Sequence, residues 1–389
     1  MPHMPTFANI EGIPVPLTDA DRSMSIEATQ IGPDEIPHLA SDKTGPPPSR
    51  RNLKMVASGW RALQWIGMSL HFLASPRPPS PRFTRKVKST LAAKEGEFSL
   101  HFYAPRGYDH TLLHRHRTYP AVVNFHGGGF TLGNATDDAR FARFVVEECH
   151  ALFISVDYRL SPEHPFPTAV EDGADALLYI INNAAEFHID PMQLATSGFS
   201  AGGNLAVTCP LRLTTHLKSI QGDPEKQVPG HRIVASALWY PITDYTLTRA
   251  ERRASTTRPD QALPPYLTNL FDASYLYPPN LDLADPFLSP SRASDELLID
   301  GVASHVLFYT CEWDMLHREG EELAQRLAAE PVCKDVHYRM IEKVAHGWDK
   351  SPNPMSVACQ SEELYMECCM KLKAIFAMEA TRAGEPQLN

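Results

Sequence analysis

The 389-residue chain has no cysteine pair in C-x-x-C spacing, no long uncharged apolar run and no excess of basic residues. Its seven cysteines are an odd set without framework spacing, and Cys368 and Cys369 are neighbours in a helix-like segment. That excludes a disulfide scaffold and predicts reduced, mostly buried thiols. The most apolar stretch, 55–74, is interrupted by Arg61, Gln64 and His71. It reads as an amphipathic helix, so stable membrane insertion is not expected. The opening residues, M-P-H-M-P-T-F-A-N-I-E-G-I-P, lack the basic start and apolar run of a secretory leader, and a cytoplasmic protein is expected. Acidic residues outnumber basic ones by 46 to 36, a net charge of −10. This disfavours nucleic acid or an anionic membrane as the main partner. The basic stretch R-P-P-S-P-R-F-T-R-K-V-K, 77–88, reads as a solvated connector. No metal and no cofactor are expected, and a homodimer stays open.

What is present is ordinary globular composition, 43% hydrophobic and 21% charged, in a distinct order. Residues 1–50 are rich in Pro, Ser, Asp and Thr without periodicity and predict an irregular extension. Trp60, Leu63, Ile66, Leu70 and Leu73 then recur at three- or four-residue spacing, which predicts a helix. From Phe98 onward, short apolar β-branched runs alternate with helical patterns. The strand candidates are F-S-L-H-F-Y, A-V-V-N-F, L-F-I-S-V-D-Y, Q-L-A-T-S, I-V-A-S-A-L-W-Y, H-V-L-F-Y-T and V-H-Y-R-M-I. Such alternation predicts an α/β fold, a mostly parallel sheet with helices on both faces. Between Thr243 and Pro290 the alternation breaks into a segment rich in proline and aromatics, which reads as an insertion after a strand.

The chemistry gathers at strand ends. Ser200 lies in A-T-S-G-F-S-A-G-G-N-L-A-V, between a strand candidate and a helical run. A nucleophile on such a turn needs glycines beside it, because side chains there would strike the neighbouring strand and helix. The helix N-terminus below it favours developing negative charge. About 70 residues upstream, H-G-G-G-F, 126–130, directly follows A-V-V-N-F. Consecutive glycines there let backbone N–H groups approach a ligand oxygen, which is what an oxyanion hole requires. The charged residues of D-Y-R-L-S-P-E-H-P-F-P, 157–167, are expected to brace loops through ion pairs. His346, in A-H-G-W, and Asp314, in C-E-W-D-M-L, each follow a strand candidate. Serine, acid and histidine thus come in the order of an α/β hydrolase, at the sheet edge where catalytic groups collect. Glu312 is the rival acid, and His337, inside a strand, is a poor base.

Together, H-G-G-G-F, D-Y-R-L-S-P-E-H-P-F-P, G-F-S-A-G-G-N-L-A, C-E-W-D-M-L-H-R-E-G and H-G-W resemble the hormone-sensitive-lipase-like esterases. This branch of the α/β hydrolases includes arylacetamide deacetylases and plant carboxylesterases, and the likeness runs from Phe98 to the last helix. It implies Ser200 as nucleophile, His346 as general base, Asp314 as its orienting acid, and Gly127, Gly128 and Ala201 as oxyanion donors. It also implies a helical cap from 51–95 and 243–296, over a catalytic core of 96–242 and 297–380. Trp60, Trp65, Phe130, Phe199 and Tyr266 are candidates to line the substrate pocket; Phe72, Phe271 and Tyr275 are further cap aromatics. Phe199 departs from the family, where most relatives carry aspartate before the serine. The implied function is hydrolysis of a small to medium carboxylic ester, a small-molecule partner, through an acyl-enzyme. A lyase, dehydratase or cyclase, or an acyltransferase, on the same scaffold is the alternative. A receptor of the gibberellin type lacks the catalytic histidine, and His346 argues against it.

Overall fold

The middle strands are apolar at almost every position, and a strand of that kind is stable only when both its faces are covered. In a computed structural model, described here for residues 48–108, 118–350 and 359–384, these strands form the centre of an eight-stranded sheet. The strands are β1 (Phe83–Lys88), β2 (Glu97–Tyr103), β3 (Tyr119–Phe125), β4 (Leu152–Asp157), β5 (Ile189–Phe199), β6 (Ile233–Trp239), β7 (His305–Cys311) and β8 (Asp335–Ile341). Their spatial order is β1-β2-β4-β3-β5-β6-β7-β8. The β1–β2 and β2–β4 pairs are antiparallel; all others are parallel. All seven strand candidates are present. The expected extension, 1–50, falls outside the described residues up to 47.

The stretch 77–88, expected as a solvated connector within the cap boundaries, departs from that expectation. Its second half is β1, paired in register with β2 from Phe83↔Phe102 to Lys88↔Glu97. Only Val87 is buried in it, and an edge strand with one covered face tolerates the charges that make it look like a linker. Phe83 stacks on Phe102 at 4.4 Å between ring centroids and anchors the edge.

Helices cover both faces. One core cluster lies between the sheet and α3 (Thr168–Asn182), α4 (Ala201–Ser219), α7 (Asp295–Gly301) and α8 (His317–Ala328). The other lies under α2 (Ala139–Glu148) and α9 (Cys359–Gly384), with Val122, Ala237 and Leu307 facing Phe141, Leu364 and Leu372. α7 straddles the expected cap boundary at 296. Its Leu298 is fully buried, and Gly301 lies so close to Leu211 that an added Cβ would approach that side chain to 2.7 Å. α7 therefore belongs to the core layer.

Two further segments complete the described residues. α1 (Arg50–Leu73) starts from an N-cap in which Ser49 accepts from the Asn52 N–H. α5 (Arg249–Ser255), opened by a Thr248–Glu251 capping box, and α6 (Pro265–Tyr275) occupy the expected insertion. α1 and α6 pack together: Trp60 stacks on Tyr266 at 5.4 Å, and Arg50 donates to the carbonyls of Ala273 and Ser274, each at 3.1 Å.

Candidate active site

β5 ends at Phe199 and α4 begins at Ala201, leaving Ser200 alone on the turn with φ 56° and ψ −117°. That is a strained backbone for a residue with a side chain. The flanking glycines are sterically required: a Cβ on Gly198 would come within 2.0 Å of the Gly202 carbonyl oxygen, and one on Gly202 within 1.9 Å of the Phe125 oxygen. The Ser200 N–H donates to the Trp239 carbonyl at 2.8 Å, tying the turn to β6.

The turn lifts Ser200 toward His346. Its Oγ is 2.8 Å from His346 Nε2, and His346 Nδ1 is 2.6 Å from Asp314 Oδ2. The other Asp314 oxygen accepts the Leu316 N–H at 3.0 Å, so the carboxylate is held from both sides. Asp314 is buried and His346 half-buried with its side chain 7% exposed, on the loops that follow β7 and β8. Glu312 instead accepts the Lys343 N–H at 2.7 Å, bracing the histidine loop. His337 points from β8 to Glu367, 3.3 Å away.

The glycine loop lies beside the serine. A Cβ on Gly127 would stand 3.6 Å from Ser200 Cβ, and Gly128 adopts φ +112°. Among the described residues, the N–H groups of Gly127, Gly128 and Ala201 have no protein acceptor. Unpaired N–H groups on the glycine loop and at the start of α4, on either side of Ser200, are suited to receive an anion. α1 holds this loop from outside, with Arg61 donating to the Thr131 carbonyl at 2.9 Å and Gln64 accepting the Gly133 N–H at 2.7 Å. The segment 157–167 braces it from below. Arg159 and Asp172 form a buried ion pair at 2.7 Å, and Glu163 receives Arg61 at 3.0 Å.

The five expected pocket aromatics do not stand together. Phe130 is fully buried and stacks flat on Tyr275 at 3.8 Å, because its φ of 57° turns the side chain into the core. Phe199 is also buried, behind the nucleophile rather than in front of it. As the last residue of β5 it faces the α2–α9 side, stacked on Trp239 at 5.5 Å. Trp60 is half-buried under Tyr266, which is 59% exposed, and Trp65 is 68% exposed on the outer side of α1. Besides Tyr275, the cap aromatic Phe271 reaches the glycine loop, its ring lying 2.3 Å from where a Gly129 Cβ would be.

A buried polar network behind the serine was missed by the sequence reading. Lys350 Nζ lies 3.8 Å from the centroid of the Phe199 ring, 2.8 Å from Asp138 and 3.3 Å from Asp349. Asp349 also accepts the hydroxyls of Tyr240, at 2.5 Å, and Tyr365. The Tyr240 ring packs edge-on against His346 at 4.9 Å. Burial works against both charges. At Lys350 the two aspartates outweigh it and raise the pKa; at Asp349, Lys350 and the tyrosine hydroxyls outweigh it and lower the pKa. The only signal was adjacency, since D-K follows H-G-W directly. A separate cleft of about 790 Å³, lined among others by Tyr119, Arg143 and His150, opens at the N-terminal ends of β3 and β4, away from these groups. Among the described residues, no group of three or more His, Cys, Asp or Glu could hold a metal ion.

Comparison with known proteins agrees with this geometry. Residues 122–350 match the family described as the alpha/beta hydrolase fold, which is more than half of the chain. The chain belongs to that family. Within it, the relatives place the chain in the hormone-sensitive-lipase-like branch. It is 33% identical over 277 residues to the carboxylic ester hydrolase LipN of Mycobacterium tuberculosis, covering 69% of this chain and 66% of the relative. It is 33% identical over 255 residues to an arylesterase of Saccharolobus solfataricus, covering 65% and 73%. Its match to the carboxylesterase NlhH of M. tuberculosis, at 32% identity, covers 56% of this chain and 63% of that one. The chain thus spans just under two thirds of the M. tuberculosis relatives. Among solved structures it resembles an alpha/beta hydrolase enzyme from the metagenome of Lake Arreo, Spain, with a TM-score of 0.65 at 26% identity, covering 84% of this chain and 92% of that one. A hyperthermophilic esterase from the archaeon Pyrobaculum calidifontis matches with a TM-score of 0.61 at 25% identity, covering 83% and 93%.

Proposed function

We propose that this chain is a serine carboxylesterase hydrolysing small to medium carboxylic esters through an acyl-enzyme on Ser200. The observation that carries the reading is the unbroken line Ser200–His346–Asp314, with unpaired backbone N–H groups beside it. His346 Nε2 takes the proton of Ser200 Oγ as that oxygen bonds to the ester carbonyl carbon. Asp314 fixes the tautomer with the proton on Nδ1 and stabilises the imidazolium. The N–H groups of Gly127, Gly128 and Ala201 receive the oxyanion. His346 returns the proton to the departing alcohol, then activates the water that releases the acid. α1, α5 and α6 act as the cap, and Phe271, Trp60 and Tyr266 are its contribution to the substrate side. Names of relatives support ester hydrolysis, including carboxylic ester hydrolase and arylesterase.

Hydrolysis of p-nitrophenyl esters from acetate to octanoate tests the proposal. Wild type is expected to favour the shorter chains and Ser200→Ala to retain only residual activity. Activity that survives Ser200→Ala would sink the acyl-enzyme. A folded wild type inactive on every ester would favour elimination chemistry instead.

A further inference from the structure

The apolar stripe that makes α1 legible in the sequence does not pack on the protein. Val56, Leu63 and Leu70 stand seven residues apart, Ile66 and Leu73 likewise, and Met55 lies beside them. All six are exposed, Met55 to 69% and Leu63 to 57%. At the helical period they cover an arc of about 100°. The buried residues of the helix, Leu53, Ala57, Met68 and His71, lie on the opposite side, against the protein. A second apolar face on a helix that already has a buried one marks an interaction surface.

The charge around the stripe is equally one-sided. From Arg50 to Lys88 there are nine Lys or Arg and no Asp or Glu, in a chain of net charge −10. Arg50 and Arg61 turn inward onto carbonyls and Glu163. Lys54 also lies against Glu163, at 3.9 Å, while Arg51, Arg77, Arg82 and Lys86 are exposed. A second copy on this face would set two basic flanks against each other, whereas anionic headgroups would neutralise them. Apolar residues on one face, with exposed basic residues at the N-terminal end of the helix and in the segment that follows it, are the marks of a helix lying in a lipid interface.

We propose that α1 docks in the plane of an anionic phospholipid bilayer, with the basic segment that follows it on the headgroups. The helix lies on the membrane and does not span it; no helix of the described residues is long and apolar enough to cross. The inference goes beyond ester hydrolysis and does not depend on it.

Flotation with vesicles tests it, using the full chain with Ser200→Ala so that no lipid ester is cleaved. Binding is expected to vesicles of phosphatidylcholine mixed with phosphatidylserine, and about tenfold weaker binding to phosphatidylcholine alone. Leu63→Glu combined with Ile66→Glu is expected to weaken binding roughly a hundredfold. In the wild-type background the same pair is expected to leave p-nitrophenyl acetate hydrolysis within about twofold, since surface changes are mild. Charge reversal by Arg51→Glu with Lys86→Glu, which leaves the apolar stripe intact, is expected to abolish the preference for phosphatidylserine. Absence of binding by the full chain, or equal binding by both charged variants, overturns the proposal. So does a homodimer that Leu63→Glu with Ile66→Glu dissolves, because a second copy then covers the face.

Discussion

Ser200 is the residue on which the proposed chemistry turns, and its partners make separable predictions. Asp314→Asn keeps the shape of the site but removes the charge that orients His346, and a loss of about ten-thousandfold in kcat is expected on p-nitrophenyl acetate. Glu312→Gln alters only the brace to Lys343 and is expected to change kcat by a few-fold at most. A larger loss for Glu312→Gln would reverse the assignment of the acid. Phe199 invites the opposite test. The family resemblance marks it as a departure beside the nucleophile, yet its ring lies behind the serine, under the Lys350 ammonium and against Trp239. Phe199→Leu should cost about 2 kcal/mol of stability, through lost packing and a lost cation–π contact, measured by denaturant unfolding. Preference among acyl chain lengths should not move. A shifted preference with unchanged stability would return Phe199 to the substrate pocket.

At the scale of elements, the central sheet was legible because parallel strands buried on both faces announce themselves as continuous apolar runs. Each of the seven runs is a strand, and Ser200, Asp314 and His346, singled out by their place after three of them, lie within hydrogen-bond distance of one another. What escaped has physical causes. β1 is an edge strand with one buried side chain, so its sequence carries the charges of a surface. Phe130 reads as a loop aromatic, but a positive φ sends it into the core, and no residue spacing encodes that turn. The network of Asp138, Asp349, Lys350 and Tyr240 joins positions more than a hundred residues apart, and only the fold brings them together. The contact of α6 with the glycine loop makes its own prediction. Gly129→Ala places a methyl where the Phe271 ring now sits, and at φ +59°. Either α6 moves away or the loop distorts. Activity on p-nitrophenyl butyrate is expected to fall at least about tenfold, and Phe271→Ala in the same chain should recover part of it by vacating the space. No recovery would mean that backbone strain alone is responsible.

For the whole molecule, stability should depend on pH through buried carboxyls whose pKa values are shifted in opposite directions. Asp137, buried beside Asp138 and receiving the Gln64 amide of α1, has its pKa raised from 3.8 to about 6, chiefly by burial. Through that window the folded state holds a proton that the unfolded chain releases, so this contribution to stability falls as pH rises from about 4 to about 6. Asp349 works the other way: with its folded pKa lowered, its contribution is present above the ordinary carboxylate range and is lost as pH falls below it. Thermal unfolding of Asp137→Asn across pH 4 to 7 should show the falling component removed, roughly within the limits of the shift. An unchanged profile would mean that Asp137 is not the group responsible. The buried Arg159–Asp172 pair ties the loop after β4 to α3, and Asp172→Ala should cost about 3–5 kcal/mol by leaving the guanidinium without its carboxylate.

The proposed reaction rests on one covalent bond, to Ser200 Oγ. Its most direct test is mass spectrometry of the full chain after incubation with a fluorophosphonate ester, which traps an activated serine. One adduct on the peptide carrying Ser200, appearing in step with the loss of esterase activity and absent from Ser200→Ala, is the expected result. Inactivation with the adduct on another residue, or an active enzyme with Ser200 fully modified, would contradict it.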